Sequence, residues 1–513
     1  MRENGRYIKT AFGLLLFIAF AGAAALAQVR GGTATPNNFF RFNYNLPDMQ
    51  PIDYPAQPIV TKHQIKLQGE TIPYTAHVGF MAIRNATSGV SEGHLFYIYY
   101  AKDGVTDKSK RPLWFLFNGG PGAATIWLHM GAFGPKVVKL SSDGLALPPP
   151  YTYVDNPYCL LDTGDLVFID AMGTGFSRPA KPGLGPNFGG VENDLAAFGE
   201  FIRCFLNEYD RWSSPLFVGG ESYGTTRAAG LAGLLTDRGM PLNGVHLLSS
   251  VIDSNANAGI QRQLGTLATE IMTAHYHKKL PPELQKLSVE QIADQARQFA
   301  SGEYLEYMLD GARATPAQRD KVVTNMARLT GLSKAFVDAS DLIVPLGPFS
   351  TELLRDRHLM TSRLDSRFAG YQIDAGDTNT SFDFSNANIS NCFLVCFEAY
   401  IRNDLDYRNP SIYYVSGNAP PWSGEYNTVL NLENAFAKNP HMRLFVGFGY
   451  YDFATPFFPV EWTLAHMRVS DEVRKNNIFL GYYEAGHMVY IDQPSAAQYH
   501  ADLVKFVQAS LPK

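Results

Sequence analysis

The sequence lacks several features that would assign it to a particular functional class. It has no excess of basic residues: the formal net charge is −5 over 513 residues, which argues against a nucleic acid partner. No cluster of histidine, cysteine and carboxylate residues has metal-ligand spacing, so no metal is expected. Internal repeats and low-complexity blocks are also absent. What remains is a globular composition, 46% hydrophobic and 18% charged, that is able to bury a large core.

Long apolar runs are missing beyond the N-terminus, so no later segment is expected to span a bilayer. At the N-terminus, basic residues precede an apolar run that starts at Ala11, and the tripeptide before Gln28, "ALA", fits a cleavage site. We interpret residues 1–27 as a signal peptide, which predicts an exported protein, periplasmic or secreted, without a stable membrane span after cleavage. An uncleaved membrane anchor is the alternative, although the run is short for one.

Cysteine is also scarce. If "NCFLVCFEAY" is helical, Cys392 and Cys396 lie one turn apart, with about 5–6 Å between Cβ atoms instead of the roughly 3.5–4.5 Å of a disulfide. We therefore expect distant partners or free thiols, and a zinc site is the weaker alternative because no histidine cluster lies nearby. In an exported protein the cysteines could pair in three ways, and they are Cys159, Cys204, Cys392 and Cys396.

The pattern of apolar segments after the signal peptide predicts an α/β fold, a mostly parallel central sheet flanked by helices. Residues 28–60 are rich in Pro, Asn and Gly and are interpreted as an extended arm. Residues 61–254 alternate buried strands such as "RPLWFLF", "DLVFID" and "SPLFVGG" with helices, which indicates the first part of a parallel sheet. Residues 255–400 are interpreted as an inserted helical cap, and the sheet pattern returns in residues 401–513, the second part of the core.

Local signals add detail to this organisation. Ser288 and Thr315 each precede a glutamine three residues later, which predicts two capping boxes within the cap. The polar stretch "DAGDTNTSFDFSNANIS" lacks periodicity and is expected to be a surface loop. The chain is predicted to close with a helix through "SAAQYHADLVKFVQASL".

One pentapeptide of the form G-x-S-x-G, Gly220-Glu221-Ser222-Tyr223-Gly224, can be either a nucleophile elbow or a plain tight turn. The apolar strand "LFV" precedes it and a helix of small residues follows it, which is the strand-turn-helix context that an elbow needs. This context favours Ser222 as an activated nucleophile. The elbow strains the backbone, so bulky residues at Gly220 or Gly224 are expected to collide with neighbouring segments.

A serine hydroxyl needs a base and an acid that orients the base. Among the 12 histidines, only His487 in "YYEAGHMVY" follows a late strand in a glycine-broken turn before the last helix. Asp452 follows the preceding strand in "GFGYYDFATP", where the orienting acid belongs. As isolated residues they would be a core histidine and a turn acid, but their positions in the strand order favour a catalytic pair. His129, His441 and His466 are interpreted as packing or surface residues.

The glycine-rich loop "NGGPGAAT", residues 118–125, follows a buried strand and predicts backbone N–H groups that stabilise an oxyanion. A phosphate-binding loop is disfavoured because the Gly-Lys-Ser/Thr ending is missing. A plain tight turn is the remaining alternative.

These motifs occur together in one order: "NGGPG", "GAFGP", "FIDAMGTGFS", "GGESYG", "GYYD" and "GHM". Together they resemble the serine carboxypeptidases, the peptidase S10 family of α/β hydrolases, in an exported member of bacterial type. The resemblance runs from about Tyr74 to the C-terminus and is faint across the cap. It implies Ser222 as the nucleophile, His487 as the base and Asp452 as the orienting acid of an acyl-enzyme mechanism.

The resemblance also implies roles in binding. The N–H groups of Gly120 and Tyr223 would form the oxyanion hole, and Met488 would lie near the side chain of the leaving residue. The groups that would hold the terminal carboxylate of the substrate are Asn118, the Gly119 N–H and Glu221.

The sequence departs from the family pattern at several positions. The family usually reads N-G-G-P-G-C-S-S, but Ala123 and Ala124 replace the cysteine and the first serine, so no free thiol lies beneath the site. A second glutamate, which commonly shares a proton with the one before the nucleophile, aligns with Ala132. This replacement bears on the strength and pH dependence of carboxylate binding. Tyr490 replaces the proline that commonly follows G-H-M-V and is expected to reshape the loop of the base.

The predicted function is a serine-type carboxypeptidase that releases C-terminal amino acids from peptides with a free C-terminus, without a metal or organic cofactor. The alternative is an esterase or acyltransferase that uses the same triad, because only the acceptor and the pocket would differ. A catalytically silent binding protein is a third hypothesis. Glu221 and Asn118 favour peptides as the substrate.

Overall fold

The structure is a computed structural model, and the residues that it describes belong to one compact unit, Phe42–Lys513. The predicted signal peptide and most of the predicted arm lie outside the described residues. The described residues are 54, 57–181, 183–372, 383–416, 422 and 426–512.

A single sheet forms the centre of the fold. The strands in the described residues are β1 (Ile59–Leu67), β2 (Glu70–Arg84), β3 (Ser91–Lys102), β4 (Leu113–Phe117), β5 (Lys136–Val138), β6 (Tyr153–Asp155), β7 (Asp165–Ile169), β8 (Arg178–Pro179), β9 (Leu216–Ser222), β10 (Gly244–Ser250), β11 (Leu359–Thr361), β12 (Ala369–Tyr371), β13 (Arg443–Gly449) and β14 (Ile478–Tyr483). The order in the sheet is β1-β2-β3-β7-β4-β9-β10-β13-β14, and β8 pairs with β3. The strands from β7 to β14 in this order pair in parallel, whereas β1, β2 and β3 form an antiparallel edge.

Helices cover both faces of this sheet, and none in the described part of the chain is long and apolar enough to cross a membrane. The α-helices there are α1 (Val191–Glu208), α2 (Tyr223–Asp237), α3 (Gly259–Tyr276), α4 (Pro282–Gln285), α5 (Val289–Phe299), α6 (Leu305–Asp310), α7 (Pro316–Thr330), α8 (Lys334–Ala339), α9 (Leu346–Glu352), α10 (Phe384–Asn403), α11 (Val429–Lys438), α12 (Phe457–Ala465), α13 (Asp471–Asn477) and α14 (Gln493–Ser510).

The side chains of β4 show why the central strands are apolar throughout. Phe117 contacts Phe198 of α1 with ring centroids 5.1 Å apart, and it belongs to the core cluster on that face. Trp114 belongs to the cluster on the opposite face, together with Phe506 of α14. Because successive strand residues point to opposite faces and helices cover both, every residue of β4 is buried.

The predicted fold class is confirmed by this mostly parallel sheet with helices on both faces. The strand segments quoted in the sequence analysis coincide with β4, β7 and β9, and the predicted closing helix is α14. One central strand, β10, was not singled out by the sequence analysis. This strand is fully buried, but it begins with a glycine and contains His246, Ser249 and Ser250. Because these residues interrupt the apolar pattern, the sequence does not indicate a buried strand here.

Between β10 and β13 the described chain is mostly helical, with a two-stranded sheet of β11 and β12. Both predicted capping boxes are confirmed, because Ser288 and Thr315 accept hydrogen bonds from the N–H groups three residues later and the reciprocal bonds are present. Helix α10, which begins within the predicted cap and ends three residues beyond it, packs on the sheet: the Tyr400 hydroxyl lies 3.0 Å from that of Tyr100. The boundaries of the cap stay a prediction.

The prediction of a surface loop at residues 374–390 is wrong for its second half. Residues 373–382 lie outside the described residues, but α10 begins at Phe384. The Asp383 carboxylate caps this helix by accepting a hydrogen bond from the Asn386 N–H at 2.8 Å. Ile389 and Phe393 are buried one turn apart, so the helix buries one face. The polar residues at its start, which include its capping residue, hide this pattern in the sequence.

The cysteines are all free thiols, which confirms one of the two outcomes expected for them. Helix α10 carries Cys392 and Cys396 on consecutive turns, and both are buried. Burial raises the pKa of the Cys396 thiol to about 11, so this thiol stays protonated at neutral pH.

Candidate active site

Ser222 lies at the turn between β9 and α2, with φ of 59° and ψ of −131°. Few residues other than glycine adopt this region, and the strain is typical of functional turns. The turn is also tight: a Cβ atom on Gly220 would lie 2.0 Å from the Gly224 carbonyl oxygen, and one on Gly224 would lie 2.7 Å from the Phe117 carbonyl oxygen. The two glycines therefore allow the strand and the helix to meet around Ser222.

His487 and Asp452 lie on the loops that follow the neighbouring strands β14 and β13. The His487 Nδ1 atom is 2.6 Å from Asp452 Oδ2, and Asp452 also accepts hydrogen bonds from the Ala454 N–H at 2.7 Å and the Thr455 hydroxyl at 2.6 Å. Burial works to raise the pKa of Asp452, but His487 and the other donors outweigh it and hold this pKa below its ordinary value. Burial works to lower the pKa of His487, but Asp452 outweighs it and raises this pKa. The buried pair thus stabilises an imidazolium ion, the species that a general base forms when it takes a proton.

The residues predicted for catalysis and binding lie around a single cavity of about 380 Å³. Ser222 and His487 both line it, and Asp452 lies behind His487, fully buried. All the other residues predicted for oxyanion and substrate binding line the same cavity, and they are Asn118, Gly119, Gly120, Glu221, Tyr223 and Met488.

Contacts that the sequence analysis missed hold the loop of His487. The His487 N–H donates to the Leu364 carbonyl oxygen at 2.6 Å, and its carbonyl oxygen accepts a hydrogen bond from the Ser249 hydroxyl at 2.6 Å. A Cβ atom on Gly486 would lie 2.3 Å from the same Leu364 oxygen, so the preceding residue must be glycine. Thr455, whose hydroxyl lies 3.2 Å from His487 Nδ1, adds a second contact to the ring. Of these residues, only Gly486 could be recognised from the sequence, as the glycine of the turn before His487.

The predicted oxyanion donors come from two segments that touch. A Cβ atom on Gly119 would lie 2.3 Å from the Tyr223 nitrogen, so the glycine-rich loop lies directly against the N-terminus of α2. Tyr223 is the first residue of that helix, and N–H groups of a first helical turn have no acceptor within the helix. Gly120 and Tyr223 line the same cavity as Ser222, so their roles as oxyanion donors stay a prediction.

Asn118 is held by contacts at both ends. Its Oδ1 atom accepts a hydrogen bond from the Leu128 N–H at 2.9 Å, and its backbone carbonyl accepts one from Arg227 Nη1 at 2.9 Å. Arg227 is fully buried and pairs with Asp194 at 2.8 Å. A structural role for Arg227 could have been inferred from the sequence, since it is a charged residue inside a helix of small residues.

Glu221 is 3% exposed and has a partner that sequence analysis did not assign to it. The Tyr490 hydroxyl donates to Glu221 Oε2 at 2.6 Å. Burial raises the pKa of Glu221 to about 7, against the lowering effects of His487 and of the bond from Tyr490. Tyr490 fits here because Gly131 has no side chain: a Cβ atom there would lie 2.6 Å from the tyrosine ring.

The three other histidines considered in the sequence analysis lie outside this cavity. His129 is buried, with Nε2 at 2.7 Å from the Tyr100 hydroxyl, and His441 and His466 are exposed. These positions agree with their interpretation as packing or surface residues. Within the described residues, no group of three or more histidine, cysteine, aspartate or glutamate side chains is arranged to hold a metal ion.

Comparisons with known proteins point to one family. A family model described as serine carboxypeptidase, peptidase S10, matches residues 67–307. A carboxypeptidase Y homolog from Arthroderma benhamiae is 28% identical over 155 residues, which are 30% of this chain and 28% of that protein. Serine carboxypeptidase-like 36 from Arabidopsis thaliana is 24% identical over 180 residues, 34% of this chain and 33% of that protein. The matched segments thus span about a third or less of these relatives.

A solved structure extends the likeness at the level of the fold. The prohormone-processing carboxypeptidase KEX1(delta)p from Saccharomyces cerevisiae aligns with a TM-score of 0.50 and 15% identity, over 84% of this chain and 91% of that chain. At this identity the likeness concerns the fold alone. The region matched by the family model contains Ser222 and the glycine-rich loop that begins at Asn118. Slightly less than half of the chain, residues 67–307, is therefore similar to the serine carboxypeptidases, peptidase S10.

Proposed function

We propose that this protein is a serine-type carboxypeptidase that releases C-terminal amino acids from peptides. One observation carries the proposal: a strained serine, a histidine paired with a buried aspartate and a buried glutamate meet at a single cavity. The first three, Ser222, His487 and Asp452, are the groups that acyl transfer needs. The fourth, Glu221, is suited to a substrate that ends in a carboxylate.

The proposed acylation step uses His487 as a general base. As the Ser222 oxygen attacks the carbonyl carbon of the last peptide bond, its proton passes to His487 Nε2, and Asp452 stabilises the imidazolium. The N–H groups of Gly120 and Tyr223 donate to the oxyanion that develops. His487 then gives the proton to the leaving nitrogen, the C–N bond breaks, and the C-terminal amino acid leaves.

Deacylation repeats these roles with water as the nucleophile. His487 takes a proton from water, the hydroxyl attacks the ester carbonyl, and the same N–H groups stabilise the oxyanion. His487 returns the proton to Ser222 as the ester bond breaks. The shortened peptide leaves with a new carboxylate, and the enzyme is regenerated.

Recognition of the substrate carboxylate is proposed to involve Glu221 as a neutral acid. Two carboxylates that face each other at close range cannot both stay charged, so one of them must hold a proton. Burial raises the pKa of Glu221 to about 7, which supports protonation at mildly acidic pH. The Asn118 amide and the Gly119 N–H would supply further donors. Peptide cleavage is therefore expected to favour mildly acidic pH.

Export is a separate part of the proposal. We infer from the basic residues and the apolar run before Gln28 that residues 1–27 act as a signal peptide. The mature protein recovered from the periplasm or the medium should begin at Gln28, as determined by N-terminal mass spectrometry. A mature protein that retains the apolar run would favour a membrane anchor instead.

The substrate class can be tested with blocked dipeptides, their terminal amides and an ester, with products resolved by mass spectrometry. We expect free amino acids from the peptides while the amides are spared, because the amides lack the carboxylate. Cleavage of the ester without release of amino acids from any peptide would favour the esterase alternative. Equal cleavage of peptides and amides would contradict recognition of the carboxylate.

The nucleophile can be tested by labelling with a fluorophosphonate. Ser222→Ala should abolish labelling and reduce turnover to a residual of roughly 10³–10⁴-fold over water, because triad members act as a unit. Ser250→Ala is a matched control, since Ser250 is a buried serine that pairs with Ser222 across β10 and β9. It should keep full labelling. Full labelling of Ser222→Ala would remove the assignment of the nucleophile.

A further inference from the structure

Tyr490 contacts the carboxyl group of Glu221 but has no role in the acyl-transfer steps described above. It lies in the short helical turn Val489–Ile491, which follows the loop of His487, and it is 6% exposed. Its ring packs on Gly131, and Gly131, Ala132 and Tyr490 line a small cavity. The packing of the ring fixes the position of the hydroxyl, which lies 2.6 Å from Glu221 Oε2.

The neighbours of the Tyr490 hydroxyl decide the direction of this hydrogen bond. The Oδ1 atom of Asn118 accepts a hydrogen bond from the Leu128 N–H, and the NH₂ group is the donor part of this side chain. Hydrogen bonding by the Asn118 side chain acts on both residues. Burial holds the pKa of Tyr490 well above its ordinary value, so its O–H remains a donor throughout the working pH range.

We propose that Tyr490 is a positioning residue that makes Oε2 of Glu221 the acceptor oxygen and so places the proton of neutral Glu221 on Oε1. A neutral carboxyl group accepts hydrogen bonds best at its carbonyl oxygen, and a donor held at Oε2 favours protonation of the other oxygen. From Oε1 the proton is donated to the terminal carboxylate of the peptide. This inference rests on the proposed carboxypeptidase function and specifies how its carboxylate subsite works.

The other charged and titratable groups around Glu221 act at longer range. His487 lowers the pKa of Glu221 and Asp452 raises it, while Arg363, on the same cavity, lowers the pKa of His487. Burial holds the pKa of Tyr499 well above its ordinary value, and the charge of Glu221 adds to this rise. The bond from Tyr490 stabilises the ionised form of Glu221, so its removal raises the pKa of Glu221 while the longer-range effects remain.

The kinetic test compares Tyr490→Phe with the wild type on a blocked dipeptide. The alkaline limb of kcat/KM should move upward by about one pH unit, since a hydrogen bond to a charged group is lost. Near pH 6, KM should rise by about tenfold with a smaller change in kcat, because the proton on Glu221 is no longer directed to Oε1. The matched control is Tyr499→Phe, which removes a buried hydroxyl bonded to His246 at 2.8 Å and should reproduce the wild-type profile.

A second measurement is independent of turnover. Infrared difference spectroscopy of the carboxylic acid band, assigned to Glu221 by its loss in Glu221→Gln, should give a titration midpoint that is higher in Tyr490→Phe than in the wild type. Replacement of Tyr490 by 3-fluorotyrosine retains the shape of the ring and strengthens the donor, so the midpoint should move downward. This second variant keeps the inference testable if the phenylalanine variant folds poorly.

The outcomes separate this inference from the proposed function. Coincident midpoints in the wild type and both Tyr490 variants would overturn the role of Tyr490 even in an active carboxypeptidase. A wild type that cleaves no peptide would overturn the proposed function, and the infrared titration would still decide whether Tyr490 controls the protonation of Glu221. Opposite shifts in the two variants, together with the rise in KM, would support the inference.

Discussion

Two buried glutamates, Glu221 at the proposed catalytic centre and Glu270 in α3, differ in their partners. Their burial is nearly equal, with exposures of 3% and 1%. Glu221 accepts a hydrogen bond from Tyr490, and burial raises its pKa only to about 7. The Oε1 atom of Glu270 has no partner within the described residues, and burial raises the pKa of Glu270 well above its ordinary value. Depth alone therefore does not determine the charge of a buried acid.

Asp452 extends the comparison to an acid with many donors. It is 0% exposed and receives four hydrogen bonds, from the Ala454 N–H, the Thr455 N–H, the Thr455 hydroxyl and His487. These donors and the charge of His487 overcome burial, so its pKa falls below the ordinary value. Within one cavity wall, Asp452 can then stay charged to orient His487 while Glu221 stays neutral at mildly acidic pH.

The largest effect is expected when Asp452, the acid that stays charged, is replaced. Asp452→Asn should lower kcat/KM by about 10⁴-fold for peptides and esters alike, because an amide cannot stabilise the imidazolium and favours the wrong tautomer of His487. Steady-state kinetics check this, with thermal unfolding as the test of folding. Glu270→Gln is the matched control, since it converts an equally buried acid to an amide outside the cavity, and it should retain turnover. A loss of less than tenfold in Asp452→Asn would contradict the orienting role.

The clustering of the candidate site residues could be predicted from the sequence because strand order constrains it. Ser222 ends β9, while Asp452 and His487 follow β13 and β14, and the carboxyl ends of parallel strands meet at one edge of the sheet. Glycines at tight turns added a second signal, and Gly220 and Gly224 lie where a side chain would collide with backbone. Both signals depend on backbone geometry, which local sequence patterns reflect.

The partners of these residues could not be predicted in the same way. Tyr490 reaches Glu221 over 269 positions of sequence, and its contact depends on a ring that packs on Gly131. The Ser249 hydroxyl bonds the His487 carbonyl from a strand whose polar residues concealed it. Such contacts depend on side-chain packing between distant segments, and no spacing rule within the sequence specifies them.

The next prediction concerns Glu270 and the free energy of unfolding. Glu270→Leu should increase the free energy of unfolding by about 1–3 kcal/mol at about pH 8, because it removes a buried acid whose Oε1 atom has no partner within the described residues. The folded-state pKa of Glu270 lies above its ordinary value of 4.5, so the wild type loses stability as the pH rises above that value. The gain should therefore be smaller at about pH 5 than at about pH 8, as measured by urea denaturation.

A control variant separates the effect of the charge of Glu270 from the effect of its polarity. Glu270→Gln keeps a buried polar group but cannot ionise, so it should remove the pH dependence with little gain in stability near pH 5. A loss of stability in Glu270→Leu would mean that Glu270 has a favourable partner, and the contrast with Glu221 would fail.

The smallest effect concerns Glu221 itself and its charge. In the wild type, peptide kcat/KM should fall as the pH rises through about 7, because burial raises the pKa of Glu221 to that value and the neutral form is the one that binds a carboxylate. At about pH 8 roughly one tenth of Glu221 stays neutral, so Glu221→Gln, which never ionises, should retain about tenfold more of its own optimal peptide activity. Ester turnover should follow His487 in both proteins, since a blocked ester presents no second carboxylate. Parallel pH profiles of kcat/KM for a blocked dipeptide and its ester provide the measurement. If the two wild-type profiles superimpose and Glu221→Gln changes neither, Glu221 is only a buried acid like Glu270, and the esterase alternative gains support.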